Sequence, residues 1–284
     1  MRLNDISRNI RVRDQRGSGG GGFGGGGGKL GCGAVVLAIA GYLIFGLDPM
    51  TTLGTVGSME TTTAPQAGGQ TLEQSCSVNE YSRETCAALS SLDATWQPLF
   101  AEAGIKFTQP TLNFYDGRGS SGCGAAQSAM GPFYCPSDQG IYIDTSFYDQ
   151  LDRQLGAGGD FARAYVMAHE YGHHIQTLTG TSTQVRQAQQ QNPGAANRIQ
   201  VAMELQADCY AGVWAAKNRN LMEPGDIEEG MTAAASIGDD RLTQGRVSPD
   251  NFTHGTSAQR MEWLQRGLRT GDEDQCDTFG ALFG

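Results

Sequence analysis

Histidine is nearly missing from this chain. Its 284 residues hold four, His169, His173, His174 and His254, and the first three fall within six positions. Basic residues are also short, with 20 Lys and Arg against 30 Asp and Glu and a formal charge of −10. A protein that tracks a phosphate backbone needs the opposite balance, so nucleic acid is disfavoured as a partner. The chain has seven cysteines but no C-x-x-C pair, which argues against a cysteine-rich zinc module. One uncharged apolar run, Leu30–Leu47, reaches 18 residues, the lower bound for a membrane-spanning helix. Imidazole chemistry is therefore concentrated around His169.

That cluster reads His169-Glu170-Tyr171-Gly172-His173, an H-E-x-x-H pattern inside an apolar stretch from Asp160 to Leu178. Phe161, Ala164, Tyr165, Ala168 and Tyr171 recur at three- and four-residue intervals, which predicts a helix, with Asp160 as its N-cap. Residues four apart on a helix lie one above the other, so His169 and His173 can hold one metal ion between two imidazoles. Glu170 is one residue on, close enough to serve as general base toward a water at that ion without ligating it. Helical periodicity returns through Ile199, Val201, Ala202, Leu205, Tyr210, Val213 and Trp214. It carries two acids, Glu204 and Asp208, four apart on one face. Carboxylates on so apolar a helix are costly unless paired or metal-bound. One of them can bind Zn²⁺ while the other accepts the Nδ1–H of a ligand histidine; the spacing permits either assignment.

Residues 1–29 carry Arg2, Arg8, Arg11, Arg13, Arg16 and Lys29, and Gly17–Gly28 is almost all glycine. Such a segment buries little and is expected to be a disordered cytoplasmic tail. The run 30–47 is expected to be an uncleaved anchor, because the basic region before it is long for a signal peptide and no small-x-small site follows closely. Positive charge before the span puts the N-terminus in the cytoplasm and the rest of the chain outside the inner membrane. Residues 48–75, rich in Thr, Gly, Gln and Pro, are expected to be a linker, with the folded domain at 76–284.

Within that domain the expected order is a helix at 79–103, short strands at Ile105–Phe107 and Leu112–Tyr115, and a Gly/Ser-rich loop at Gly117–Gly131. A strand at Gly140–Asp144 and a helix at Ser146–Leu155 precede the metal helix. Arg186–Gln191 is expected to be a solvated helix face. Helices at Pro224–Ile237 and Ser257–Leu268 complete an α+β domain with a small sheet before the active helices. Ile141–Asp144 is the expected sheet edge along which an extended peptide aligns. Six cysteines follow the span, an even number that suggests disulfides. Proximity favours Cys76–Cys86 and Cys123–Cys135, leaving Cys209–Cys276.

Five stretches together resemble a known family, the putative neutral zinc metallopeptidases of bacteria. They are Gly122–Pro136, Ile141-Tyr-Ile-Asp144, Ala168-His-Glu-Tyr-Gly-His-His174, Met203-Glu-Leu-Gln-Ala-Asp-Cys209 and Thr253-His-Gly-Thr-Ser-Ala-Gln-Arg260. The resemblance extends to the basic glycine-rich N-terminus and the apolar run. It implies a zincin-like fold with one Zn²⁺ per chain, Glu204 as third ligand after His169 and His173, and Asp208 behind them. The last stretch also resembles the His-Pro…Arg region of membrane-linked zinc peptidases of the CAAX protease type, with Gly255 in place of the proline. That similarity implies that His254 faces the cleft and stabilises an oxyanion; the other reading of the residue is a surface-loop histidine that caps the helix at Ser257. The expected function is a membrane-anchored zinc endopeptidase acting on protein or peptide. Two other readings fit the same residues: an exported zinc-binding protein without catalysis, and a zinc hydrolase of a non-peptide amide in the cell wall.

Overall fold

The computed structural model describes residues 1–17 and 70–283. Its main sheet has four strands in the order β1-β2-β6-β5. They are β1 (Arg11–Asp14), β2 (Thr111–Tyr115), β5 (Phe133–Cys135) and β6 (Gly140–Asp144). β1, β2 and β6 run parallel, and β5 runs antiparallel to β6. A separate antiparallel hairpin, β3 (Arg118–Ser121) and β4 (Gly124–Gln127), follows β2.

Period-two patterning assigns the two faces of the sheet. Leu112, Phe114, Ile141 and Ile143 point into the main core, while Tyr115 and Tyr142 join Ala126 and Cys135 in a second, smaller one. Because both faces are covered, every residue of β6 is buried. Helices α1 (Leu72–Cys76) and α2 (Glu80–Glu102) precede β2. After β6 come α3 (Ser146–Arg153), α4 (Asp160–Leu178), α5 (Thr181–Gln191) and α6 (Ala196–Lys217). The chain then runs through α7 (Asp226–Ser236), α8 (Asp239–Leu242), α9 (Ser257–Thr270) and α10 (Thr278–Phe283).

Glycine sets two helix crossings. A Cβ on Gly172 of α4 would sit 2.8 Å from the Ala207 Cα of α6, so only a hydrogen there lets the two backbones meet. Gly212 of α6 and Gly267 of α9 face each other at the second crossing, and a side chain on either would run into the partner's backbone. The three helices α4, α6 and α9 are thereby drawn into one tight stack.

The α+β expectation holds, with a small sheet and many helices. Several local expectations change. Residues 105–107 form no strand, and the loop expected at Gly117–Gly131 contains the β3–β4 hairpin. Ile141–Asp144 is not an edge: β6 is flanked by β2 and β5, and the edge on that side is Phe133–Cys135. Asp160 is the first helical residue of α4 rather than its cap; Gly159 holds the cap position at φ +115° and Glu229 accepts from the Phe161 amide at 3.0 Å.

The N-terminal segment departs most. Residues 1–17, expected to be disordered with the rest of 1–29, are part of the folded body. Met1 and Ile10 are buried, and β1 pairs with β2 over four residues. The folded body also reaches into the expected linker, since Thr71 and Gln74 form a capping box that starts α1. The expected anchor, residues 30–47, lies outside the described residues; among those described, no helix is long and apolar enough to cross a membrane.

The three expected disulfides are present. Cys76–Cys86 ties α1 to α2, Cys123–Cys135 ties the hairpin turn to β5, and Cys209–Cys276 closes a separation of 67 residues.

Candidate metal centre

Helix α4 presents His169 and His173 on one face, and α6 crosses it at Gly172 so that Glu204 faces both. Donor atoms of His169, His173 and Glu204 all lie within 4.8 Å of one another. Glu204 Oε2 is 3.1 Å from His169 Nε2 and 3.5 Å from His173 Nε2. Ligands about 2.0–2.1 Å from a tetrahedral zinc ion sit roughly 3.3 Å apart, so the spacing suits that metal.

The far sides of both rings are occupied. Asp208 Oδ1 is 2.8 Å from His169 Nδ1, and Gln176 Oε1 is 2.9 Å from His173 Nδ1. A carboxylate and an amide oxygen only accept, so each Nδ1 carries a hydrogen, and each Nε2 faces Glu204 and becomes a lone-pair donor to an ion once it gives up its proton. The remaining Glu204 oxygen accepts from Gln200 Nε2 at 2.9 Å.

Asp208 is fully buried and is the hub of a polar network that includes two residues sequence reasoning left out. Its Oδ1 also accepts from the Tyr165 hydroxyl at 2.6 Å and from Arg260 Nη2 at 2.9 Å, and its Oδ2 accepts from Arg260 Nε at 2.8 Å. Arg260 is 1 % exposed. Burial would push the Asp208 carboxyl up, but the Arg260 guanidinium and His169 outweigh it and hold it down at about 2. Glu204 is likewise held well below the usual carboxylate range: burial opposes this, and the facing His173 and His169 overcome it. Both acids are thus charged, as ligand and ligand-orienting groups must be.

Glu170 behaves differently. Burial pushes its carboxyl up, more than the neighbouring His169 and His173 pull it down. It is buried, at 8 % residual exposure, and its carboxylate takes no hydrogen bond among the described residues.

His254 lies in the loop before α9, close enough for Glu204 to act on its charge. The signal missed in the sequence is Asp239, fully buried at the start of α8. Its Oδ2 accepts three consecutive amides, Thr253 at 2.7 Å, His254 at 2.7 Å and Gly255 at 3.1 Å. Its Oδ1 is 3.2 Å from His254 Nδ1. Burial lowers the affinity of His254 for a proton, and Asp239 and Glu204 more than restore it, leaving the net direction upward. Thr256, not His254, caps α9. Gly255 sits at φ +87°, where proline cannot go, so the loop differs in backbone from the His-Pro pattern it resembles.

His174, the remaining histidine of the cluster, does not face the metal donors. It is fully buried, with Nε2 2.6 Å from the Thr108 carbonyl and Nδ1 3.1 Å from the hydroxyl of Tyr134 in β5. Burial pushes its pKa down to about 4, so the ring is neutral, donating to the carbonyl and accepting from the tyrosine.

Two close helix crossings thus bring three donors that could hold a metal ion to one point, with the buried Glu170 next to His169. Residues 1–279 match the family described as Putative neutral zinc metallopeptidase, and the chain belongs to that family. It is similar to an Escherichia coli (strain K12) protein named Uncharacterized protein YpfJ, 47 % identical over 254 residues, which cover 87 % of this chain and 85 % of that protein. It is also similar to Uncharacterized protein Rv2575 of Mycobacterium tuberculosis (strain H37Rv), 44 % identical over 208 residues, 68 % of each chain. No solved structure matches the chain.

Proposed function

We propose that the chain is a zinc-dependent endopeptidase. The observation that carries this reading is the pairing of a three-donor centre with Glu170, a buried acid that follows His169 on α4 and takes no hydrogen bond among the described residues. His169, His173 and Glu204 would hold the ion. Zinc in such a site supplies a Lewis acid for a carbonyl oxygen and makes water acidic enough to react near neutral pH.

The chain's own groups do the rest. Glu170 takes the proton of the attacking water and delivers it to the leaving amine. Asp208 fixes the tautomer and orientation of His169, and Arg260 and Tyr165 fix Asp208. Asp239 turns His254 so that Nδ1 is engaged and Nε2 is free, and His254 then donates from Nε2 to the developing oxyanion. An extended peptide aligns along β5, the open edge next to α4, rather than along β6. Three disulfides support an oxidising compartment for the domain.

The test uses the purified full chain with zinc and an unfolded protein as substrate. Wild type should cleave it, and Glu170→Gln should keep its zinc while losing at least about 1,000-fold in turnover. Full zinc occupancy in the wild type with no cleavage of any peptide bond at high enzyme would refute the peptidase reading and favour a zinc-binding protein.

A further inference from the structure

Three features of the N-terminal segment converge on one consequence. The first is pairing: Arg11, Val12, Arg13 and Asp14 lie in parallel register with Thr111, Leu112, Asn113 and Phe114, and the Gln15 amide donates to the Phe114 carbonyl at 2.8 Å. The second is a set of polar anchors spread over the domain. Gln15 makes a two-way bond with the Ser120 backbone at 2.8 and 3.0 Å, and the Ser7 amide donates to Ser90 Oγ at 3.0 Å. The third is Arg16. Its guanidinium lies 4.4 Å above the Phe114 ring, donates to Ser82 Oγ at 2.7 Å and to the Ser75 carbonyl at 2.7 Å, and pairs with Asp14. Ser75 precedes Cys76, so Arg16 is seated against the helix pair that the Cys76–Cys86 disulfide joins.

Pairing on β2 also has a physical demand behind it. Without β1, β2 would be the open edge of a parallel sheet, with a row of unpaired amides and carbonyls beside the buried Leu112 and Phe114. Parallel sheets are stable when covered.

We infer that residues 1–17 are a structural part of the zinc-binding domain and occupy the same compartment as it. The domain is then discontinuous in sequence, and Gly17 and Gln70 lie on the same side of any membrane. A single crossing by residues 30–47, with a cytoplasmic tail before it, would strand β1 away from β2. Two of the basic residues of the segment, which read as a cytoplasmic topology signal, are here partners of the fold: Arg16 binds as above and Arg11 donates to the Gln109 carbonyl.

The experiment uses the full chain in its native membrane or cell, with Cys32→Ser removing the one cysteine outside the disulfides. Asn4→Cys and Glu102→Cys, each at an exposed position, report on the two parts. In intact cells an impermeant maleimide should label both or neither, and both should react after lysis. Labelling of one without the other overturns the inference. Hydrogen exchange of the unsubstituted full chain gives a second measurement independent of folding defects in the variants. Peptides covering residues 9–16 should exchange at least about 100-fold more slowly than an unstructured chain, comparable to those covering 111–115. Exchange of 9–16 at the unstructured rate, with 111–115 protected, also overturns it.

Discussion

Asp208 Oδ1 lies 2.8 Å from Nδ1 of His169, and on the opposite side of the same ring Nε2 lies 3.1 Å from Glu204. The two acids, one helical turn apart on α6, therefore hold one imidazole from its two nitrogens. This geometry separates the roles that sequence spacing left open, with Glu204 beside both Nε2 atoms and Asp208 behind. Asp208→Asn should bind zinc about 10–100-fold more weakly than wild type. Glu204→Gln, which loses a ligand, should bind more weakly still. Titration against a competing chelator ranks them, and the opposite order would reverse the assignment.

The Arg260–Asp208 pair is almost completely withdrawn from water. Removing one member leaves the other's charge buried and uncompensated, at a cost of about 3–5 kcal/mol. Arg260→Met should destabilise the protein by that order and weaken zinc binding, because Asp208 also loses its orientation. Combining it with Asp208→Asn should cost less than the sum of the two, since the stranded charge is gone. Denaturant melts of the four proteins give the coupling, and strict additivity would show that the contact contributes nothing as a pair.

Gly172, the fourth residue of H-E-x-x-H, is a packing residue. Its Cβ position lies 2.8 Å from Ala207 Cα and 3.0 Å from the Ala207 carbonyl oxygen. Gly172→Ala gains roughly 0.8–1 kcal/mol in helix propensity. It loses about 1–3 kcal/mol to overpacking at the crossing. The expected sign is destabilising, together with weaker zinc binding as Glu204 is pushed away. Adding Ala207→Gly should restore part of both. Zinc affinity unchanged in Gly172→Ala would show that the crossing can yield without moving the ligands.

Asp93 accepts from the Tyr171 hydroxyl at 2.7 Å and from Gln109 at 2.9 Å, and burial raises its pKa from 3.8 to about 6 despite those bonds. A raised folded-state pKa means the native protein binds more protons than the unfolded chain between those two values. Stability is therefore full below about 4 and is lost as pH rises through about 6, with up to ~3 kcal/mol at stake at 1.36 kcal/mol per unit. Asparagine cannot ionise, and Gln109 can turn its oxygen to it. Asp93→Asn should thus be more stable than wild type by about 1–3 kcal/mol at pH 7 and equal to it near pH 3.5. Melts of both proteins in excess chelator across this range provide the check. A constant difference at all pH values would mean that ionisation of Asp93 plays no part.

Much of the candidate site was legible because a helix converts spacing into geometry. His169 and His173 share a face whatever surrounds them, Glu204 and Asp208 share another, and the three cysteine pairs follow from number and proximity. Asp239, Arg260 and Tyr165 were not legible as members of the site. Asp239 and Arg260 reach it from other elements, and a lone Asp or Arg has no periodic neighbour to mark it; Tyr165 lies on α4 itself but reads as one of the helix's apolar core positions. The same limit applies to β5: three residues after a glycine-rich loop carry too little pattern to outweigh the strong strand signal of Ile141–Asp144.

By itself the sequence determined the candidate donor set, the two helices that carry it and the near-neighbour cysteine pairs Cys76–Cys86 and Cys123–Cys135, all of them consequences of residue type at short separation. Tertiary structure decided which strand is the edge, which acid faces the imidazole Nε2 atoms, and where residues 1–17 belong. Each of these depends on contacts between segments tens of residues apart. A basic, glycine-flanked strand buries too little on its own to announce itself, and acquires a place only when the β2 edge is there to receive it.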